Sequence, residues 1–376
     1  MIVIADDITG AAEIAGMAAE QGRAVRVTCA PPAYKCDSDD GCITVIATDT
    51  RSMTEADAAA ETRRIASFHT PHSTFHIYKK TDSALRGHVV AELASLMEVA
   101  GYRRAVYLPA NPSKGRIIRK DVYYIDGKPI HETAFSYDPE FPARTSVLSE
   151  RFPDAEAHHI IMPDAESLED VRRVVERYDD GDTLFAGAAD LFREMGLRGQ
   201  RSTTPSPSFL RRGNNESFGP SFLRRGEASL LILCGSTQSK PLNIGIPVCP
   251  MPREVYDGEQ TAADWFATLK CHLSPLTSII LTIPHTHRTG KETAIHLRTT
   301  MAEMARRLVE RQCPRHLIIE GGATAWATLQ ALGWTEFEDV RQIAPGVVQM
   351  KSVTTGTWVT LKPGSYPWGG LFDHAL

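Results

Sequence analysis

His76-Ile77-Tyr78-Lys79-Lys80-Thr81-Asp82-Ser83-Ala84-Leu85-Arg86-Gly87-His88-Val89-Val90-Ala91-Glu92-Leu93 is where the hydrophobic period changes, and that change decides the fold class. Its first residues, with Phe75 before them, have strand composition. Beyond Gly87, Val89, Val90, Leu93, Leu96 and Met97 recur on one helical face. A strand running into a helix is half of a β-α-β unit, and open sheets of such units bind ligands beyond the carboxyl ends of their strands. Two lysines, an aspartate, a serine and an arginine fill the connection, side chains for which a buried strand has no use. The same loop also reads as a solvated turn in which Asp82 or Ser83 caps the helix. Other strand ends bear on that choice.

Upstream, Ile2–Ala5 is a short apolar run, as in a strand covered on both faces. Asp6-Asp7-Ile8-Thr9-Gly10 leads from it into a helix over 11–21, with Thr9 as N-cap and Gly22 as stop. Successive residues leaving a strand point opposite ways, so Asp6 and Asp7 have different jobs. Two adjacent carboxylates repel unless a cation, a hydroxyl or a helix N-terminus offsets them. Strands are expected over 25–29 and 43–47, the second ending in Thr48-Asp49-Thr50-Arg51, with a helix over 54–68. The strand 104–109 runs into Ala110-Asn111-Pro112-Ser113-Lys114-Gly115-Arg116. Four strand ends thus repeat one theme: acidic groups suited to hydroxyls, basic groups suited to an anion. Further along lie a hairpin over 123–130 turning at Asp126-Gly127, an extended loop over 134–142, a strand over 158–162, a helix over 167–178 and a strand over 184–188.

The 376 residues suffice for two domains, each with its own core. The boundary is placed at 199–227, where Pro207–Gly213 recurs as Pro220–Gly226 in a Ser/Gly/Pro/Arg-rich stretch, the mark of an exposed linker or insertion. Residues 1–198 and 228–376 are then the two domains. In the second, strands over 229–234, 316–319 and 358–361 end in Gly235-Ser236, Glu320-Gly321-Gly322-Ala323-Thr324 and Lys362-Pro363-Gly364-Ser365. Small residues at a strand-to-helix turn let backbone N–H groups approach a phosphate, and three such turns suit a nucleotide. Gly290-Lys291-Glu292 imitates the end of a Walker loop but lacks the glycine five residues earlier and the following hydroxyl. The expectation is an α/β protein of two domains, each a largely parallel sheet flanked by helices, with the active site in the cleft between them.

A net charge of −5 gives no bulk attraction for nucleic acid, so an anionic ligand needs local cations. Seven cysteines without a C-x-x-C pair suit reduced thiols, and no apolar run reaches membrane-spanning length. The apolar start runs straight into Asp6-Asp7 and leaves no room for a signal peptide, which points to the cytoplasm. The histidine pairs and triplets (His69/His72/His76, His158/His159, His285/His287) read as surface residues, with no zinc spacing.

Ala5-Asp6-Asp7-Ile8-Thr9-Gly10-Ala11, Lys80–Gly87, the 109–116 loop, Gly321-Gly322-Ala323-Thr324-Ala325 and Leu361–Ser365 resemble the four-carbon acid sugar kinase family of threonate, erythronate and 3-oxo-tetronate kinases. The resemblance covers most of the chain outside 199–227. It implies an N-terminal sugar-acid-binding domain and a C-terminal ATP-binding domain working with Mg²⁺. On that likeness Ser236, Gly321, Gly322, Ala323, Thr324 and Gly364 contact ATP. Arg86, with Lys80 and Arg116, would clamp the substrate carboxylate, with Asp6, Ser83 and Asn111 also on the substrate side. Asp7 or Asp82 would accept the hydroxyl proton or hold Mg²⁺. The partners are then a small sugar acid and ATP, with no nucleic acid or membrane, and self-association is left open. Ala323 stands where the family usually carries Glu or Asp, which motivates the alternative of a non-catalytic acid-sugar binder with a degenerate nucleotide half. A third reading is a hydrolase using Asp6-Asp7.

Overall fold

The computed structural model describes residues 1–29, 42–69, 76–138, 141–196, 229–236, 241–270, 278–284, 290–364 and 366–372. The 199–227 repeat, and with it the domain boundary, lies outside them, as do His72, His285, His287 and Ser365. The first half alternates β1 (Ile2–Ala5), α1 (Ile8–Glu20), β2 (Val25–Thr28), β3 (Ile43–Ala47), α2 (Glu55–His69), β4 (Ile77–Lys80), α3 (Val89–Ala100) and β5 (Arg104–Leu108). An antiparallel insertion follows: β6 (Arg116–Arg119), β7 (Val122–Ile125) and β8 (Lys128–Pro129). Then come α4 (Leu148–Arg151), β9 (Ile160–Ile161), α5 (Leu168–Tyr178), β10 (Thr183–Gly187) and α6 (Ala189–Gly196). The second half opens with β11 (Leu230–Cys234), β12 (Val248–Pro250), α7 (Arg253–Tyr256), α8 (Ala262–Lys270) and β13 (Ile279–Thr282). It continues with α9 (Lys291–Gln312), β14 (His316–Glu320), α10 (Gly322–Leu332), β15 (Glu336–Ala344), β16 (Val347–Ser352) and β17 (Trp358–Lys362).

Two parallel blocks result, β2-β3-β1-β4-β10-β5-β9 and β12-β13-β11-β14-β17. Every residue of β1, β3, β11 and β14 is buried, as a parallel sheet covered on both faces requires. The blocks are not separate sheets. Antiparallel β16 and β15 join β17 to β2, giving, among the described residues, one sheet of fourteen strands. A period-two reading fails on β15 for a physical reason: register shifts between Glu338 and Arg341, and between Gln342 and Ala344, interrupt the alternation. Phe337 and Val340, three apart, therefore both reach the main core, while Ile343 packs on a second, smaller cluster.

α1 packs on its own block and also on this joint. A Cβ on Gly16 would lie 2.8 Å from Val348 Cγ2, and Gln342 donates to Glu20 at 3.0 Å. One hydrophobic core accordingly contains Ile4 and Ala15 together with Phe337, Val348 and Leu361.

Several local expectations change. The N-cap of α1 is Asp7, not Thr9: its carboxylate accepts from Gly10 N at 2.8 Å, and Thr9 sits inside the first turn. His88 is the N-cap residue of α3 and makes no side-chain cap, so neither Asp82 nor Ser83 caps it. Within 134–142 the chain forms a 3-10 turn at Ala134–Tyr137 instead of running extended. His76, His158 and His159 are exposed, as read from the sequence. Among the described residues no helix is long and apolar enough to cross a membrane.

Candidate active site

Register brings the first motifs together. Ala5 pairs with Ala47 on one side and with Lys80 on the other, so Asp6, Thr48 and Thr81 leave the sheet at one level. The chain order reverses at β1, with β2 and β3 on one side and β4 on the other. That is the switch point at which open α/β sheets bind ligands.

At its centre is Arg51, expected from the sequence as one of the basic groups suited to an anion and found instead among carboxylates of the protein itself. It follows Asp49, whose left-handed backbone (φ 53°) turns β3 into a 3-10 turn at Thr50–Ser52. Arg51 Nε and Nη2 each donate to Asp6 Oδ2 at 3.1 Å, and Nη1 donates to Asp7 Oδ2 at 3.1 Å. Nη2 also lies 3.5 Å from Asp82 Oδ1. Three carboxylates therefore gather round a guanidinium that is only 15% exposed.

The three aspartates share it unequally. Burial pushes Asp6 up to about 6, with Asp7 and Asp82 adding to the rise and Arg51 opposing it. Burial acts on Asp7 too, but Arg51, Lys80 and hydrogen bonds from Thr9 (2.6 Å) and Gly10 outweigh it and hold Asp7 below the usual range. Asp82, equally buried, is held well below its ordinary value by Arg86 and Arg51. Nearby, burial takes Asp49 up to about 6 despite a hydrogen bond from Ser52. Adjacent residues thus differ in ionisation, as their opposite directions from the strand end suggest.

Asp82 and Arg86 form a bidentate pair, Nε to Oδ2 and Nη2 to Oδ1 both at 2.9 Å. The turn between them holds Leu85 at φ 62°, a costly conformation for a branched residue. Arg151 steadies it by donating to the Leu85 carbonyl at 3.1 and 2.9 Å. Arg86, whose side chain is 29% exposed, and Arg116 each lie 5.8 Å from the Phe135 ring. Arg116 also donates to Ser83 Oγ. Phe135 and Arg151, which no local sequence pattern marks, complete this wall from the insertion side. Lys80 is buried beside Asp7, donating to Thr81 O at 3.0 Å and lying 3.4 Å from Glu13. Asn111 is buried behind this wall: its backbone pairs with that of Arg116, and its side-chain carbonyl accepts from Asp190 N at 3.2 Å at the start of α6.

In the second half Cys234, Glu320 and Lys362 are register partners, so Gly235, Gly321 and Pro363 continue the row. The turns touch. A Cβ on Gly364 would collide with Ser236 Oγ, and one on Gly235 with the Thr324 side chain. Gly321 adopts φ 99° and faces Ser236 N, where a Cβ would stand at 3.5 Å. Ala323 is exposed in the first turn of α10, while Thr324 is buried beneath it. Under the turns Lys362 and Glu320 form a buried pair at 2.5 Å.

The two halves of the site meet at one residue. A Cβ on Gly322 would lie 3.3 Å from Asp7 Oδ2 and 3.3 Å from Thr9 Oγ1, so the amino end of α10 stands against the amino end of α1. Among the described residues no group of three His, Cys, Asp or Glu side chains is arranged to hold a metal ion; the aspartates surround Arg51 instead. A 380 Å³ cavity lined by Arg103, His159 and Ile161 lies at the amino ends of β5 and β9, away from this chemistry.

Two family models match the chain: a sugar-binding N-terminal domain over residues 1–186 and a nucleotide-binding C-terminal domain over 257–366. A D-threonate kinase of Salmonella typhimurium is 32% identical over 178 residues, a match spanning 46% of this chain and 40% of that one. A 3-oxo-tetronate kinase of Actinobacillus succinogenes is 24% identical over 410 residues, 99% of this chain and 98% of that one. Crystal structures of a Haemophilus influenzae protein (TM-score 0.66, 20% identity, covering 100% of this chain and 99% of that one) and a Salmonella typhimurium protein (TM-score 0.73, 18% identity, 100% and 98%) share the fold. Models matching residues 1–186 and 257–366, and a 3-oxo-tetronate kinase that aligns along almost the whole length, lead to one conclusion: the chain belongs to the four-carbon acid sugar kinase family.

Proposed function

We propose that this protein transfers a phosphoryl group from ATP to a hydroxyl of a four-carbon sugar acid in the cytoplasm. The observation that carries this reading is the approach of Gly322 to Asp7. Phosphoryl transfer asks mainly for positioning and charge neutralisation. A phosphate chain cradled by the 321–324 turn, Ser236 and Gly364 would meet the amino end of α10, whose N–H groups and dipole favour an anion. The donor set fits: the turns are small, close and left without Cβ atoms where the backbone must be approached. Asp7 lies next to that point and stays ionised at neutral pH, so it would accept the proton of the attacking hydroxyl. Asp82 suits the base role less well, because it is paired with Arg86 while Asp7 is the aspartate that borders Gly322. Arg86 and Arg116, side by side on Phe135, would receive the substrate carboxylate. Mg²⁺ bound with the nucleotide would neutralise phosphate charge, held mainly by the phosphates themselves. Relatives named as D-threonate and 3-oxo-tetronate kinases support the substrate class.

The test is an ATP-consumption screen of the purified protein over erythronate, threonate and 3-oxo-tetronate stereoisomers. Turnover with one of these acids is expected. Asp7→Asn should lower kcat at least about 100-fold while leaving acid binding nearly intact. A wild-type protein that binds an acid yet consumes no ATP with any of them would instead be a binder.

A further inference from the structure

One set of contacts crosses from the acid side of the site to the nucleotide side without belonging to either. Glu13, on α1 beyond Asp7, lies 3.4 Å from Lys80 and also accepts from Lys114 Nζ. Lys114 Nζ donates in turn to Tyr366 Oη at 2.8 Å and lies 4.5 Å from that ring's centre. Tyr366 closes the turn after β17, its N–H donating to Pro363 O at 3.2 Å, and Gly364 of that turn packs on Ser236. The path therefore runs Asp7, Lys80, Glu13, Lys114, Tyr366, Pro363-Gly364, Ser236.

Both ends are held firmly. Lys114 ends the 3-10 turn Pro112–Lys114, which buried Asp190 fixes through Ser113 N at 2.9 Å and Ser113 Oγ at 2.8 Å. The Tyr366 ring fills the space beside Gly346, where a Cβ would collide with it. Lys114 also keeps its charge: burial works against it, but Glu13 and Tyr366 more than compensate. A protonated lysine shared between a carboxylate and a phenol is a stiff joint, because charge-assisted hydrogen bonds are stronger and shorter than neutral ones.

Resting on the kinase reading above, we propose that Lys114 and Tyr366 are positioning residues: they set the Pro363-Gly364 turn against Ser236 and so couple nucleotide affinity to the acid side of the site. Neither needs to touch substrate. Their effect passes through the turn in one direction and through Glu13 and Lys80 in the other. By linkage, whatever acid binding does to nucleotide affinity, the nucleotide does equally to the acid.

Titration calorimetry of β,γ-imido-ATP, with and without the sugar acid that the screen selects, tests this on wild type, Tyr366→Phe, Lys114→Met, Lys114→Arg and the Phe/Met double variant. Tyr366→Phe keeps the ring on Gly346 and loses only the hydroxyl, so folding should survive. Each of Tyr366→Phe and Lys114→Met should weaken the nucleotide about tenfold, the size of one lost hydrogen bond to a charged group. The double variant should be no weaker than Lys114→Met alone, and Lys114→Arg should restore most of the affinity. The ratio of nucleotide affinities with and without acid should move toward one in Tyr366→Phe, a change that a merely structural role would not cause. Folded variants with wild-type nucleotide affinity, or losses that simply add, would overturn the proposal while leaving the kinase reading intact. Wild type that binds no nucleotide would take both down.

Discussion

Arg51 balances three buried carboxylates, and its removal should be felt in stability before it is felt in chemistry. Breaking a buried ionic cluster by deleting one partner costs about 3–5 kcal/mol, because the remaining charges stay desolvated and repel. Arg51→Gln should therefore melt well below wild type at pH 7.5 and recover part of the difference at pH 5, where Asp6, Asp7 and Asp82 can take up protons. Thermal scans at the two pH values check this; a loss independent of pH would mean that Arg51 acts by packing alone. Asp6 makes a second prediction with a definite sign. Its native value of about 6 exceeds the ordinary 3.8, so the native state holds more protons than the unfolded chain between roughly pH 4 and 6, and stability falls as pH rises through that window. Asp49 acts in the same direction. Asp7 and Asp82, with lowered values, contribute stability that is lost only as pH falls below the ordinary range. Asp6→Asn should flatten the pH 4–6 slope by about 3 kcal/mol at most, judged by denaturant midpoints at pH 4.5 and 6.5. An unchanged slope would assign the titration to Asp49 alone. These residues were unequally legible. The acidic and basic strand ends stand out in the sequence, but Arg51 meets Asp6 and Asp7 across 45 and 44 residues of chain. That pairing depends on strand order, which local pattern does not carry.

Glycine turns behave differently, because their signal is local while their neighbours are not. Gly321-Gly322 between a strand and a helix is readable as a phosphate turn, and β14 and α10 do flank it. What the sequence does not carry is the α1 N-terminus facing it. Gly322→Val would push a branched side chain toward Asp7 and Thr9, which a Cβ alone would meet at 3.3 Å. The position is only half-buried and opens a helix, so the fold should tolerate the change, with a melting shift of only a few degrees. ATP affinity should fall at least about tenfold. A folded Gly322→Val protein with unchanged ATP titration would make the turn purely structural. The cap of α1 teaches a related point. Thr9 and Asp7 are both sound capping residues by type, and the choice falls on Asp7 because β1 ends at Ala5 and the helix begins at Ile8. The cap lies two residues before Thr9, and Asp7 and Thr9 both face Gly322 at the start of α10.

At the scale of the whole molecule, the parallel blocks were legible and the joint between them was not. Apolar runs with glycine and helix punctuation mark the blocks; bulged β15 carries no clean period, and its pairing with β2 spans most of the chain. The joint nevertheless governs how the protein unfolds. β15 meets β2 through Phe337 opposite Val27, both fully buried, and the main hydrophobic core runs through both halves without a break. Two sheets with separate cores would unfold in two steps, whereas one sheet with a shared core should unfold in one. The chain offers a convenient probe, since all five tryptophans lie beyond residue 264 and report on the second half alone. Urea unfolding followed by tryptophan fluorescence and by far-UV circular dichroism should therefore coincide in wild type. Phe337→Ala removes a fully buried ring at the joint and should cost about 3–5 kcal/mol. Because the cavity opens where the blocks share their core, the variant should also split the two probes, the fluorescence and dichroism midpoints moving apart. Coincident transitions in wild type that stay coincident in Phe337→Ala would mean that α1, packed on both blocks, is enough to hold the halves as one unit. Separate transitions already in wild type would make the fourteen-stranded sheet an interface between two independently stable domains.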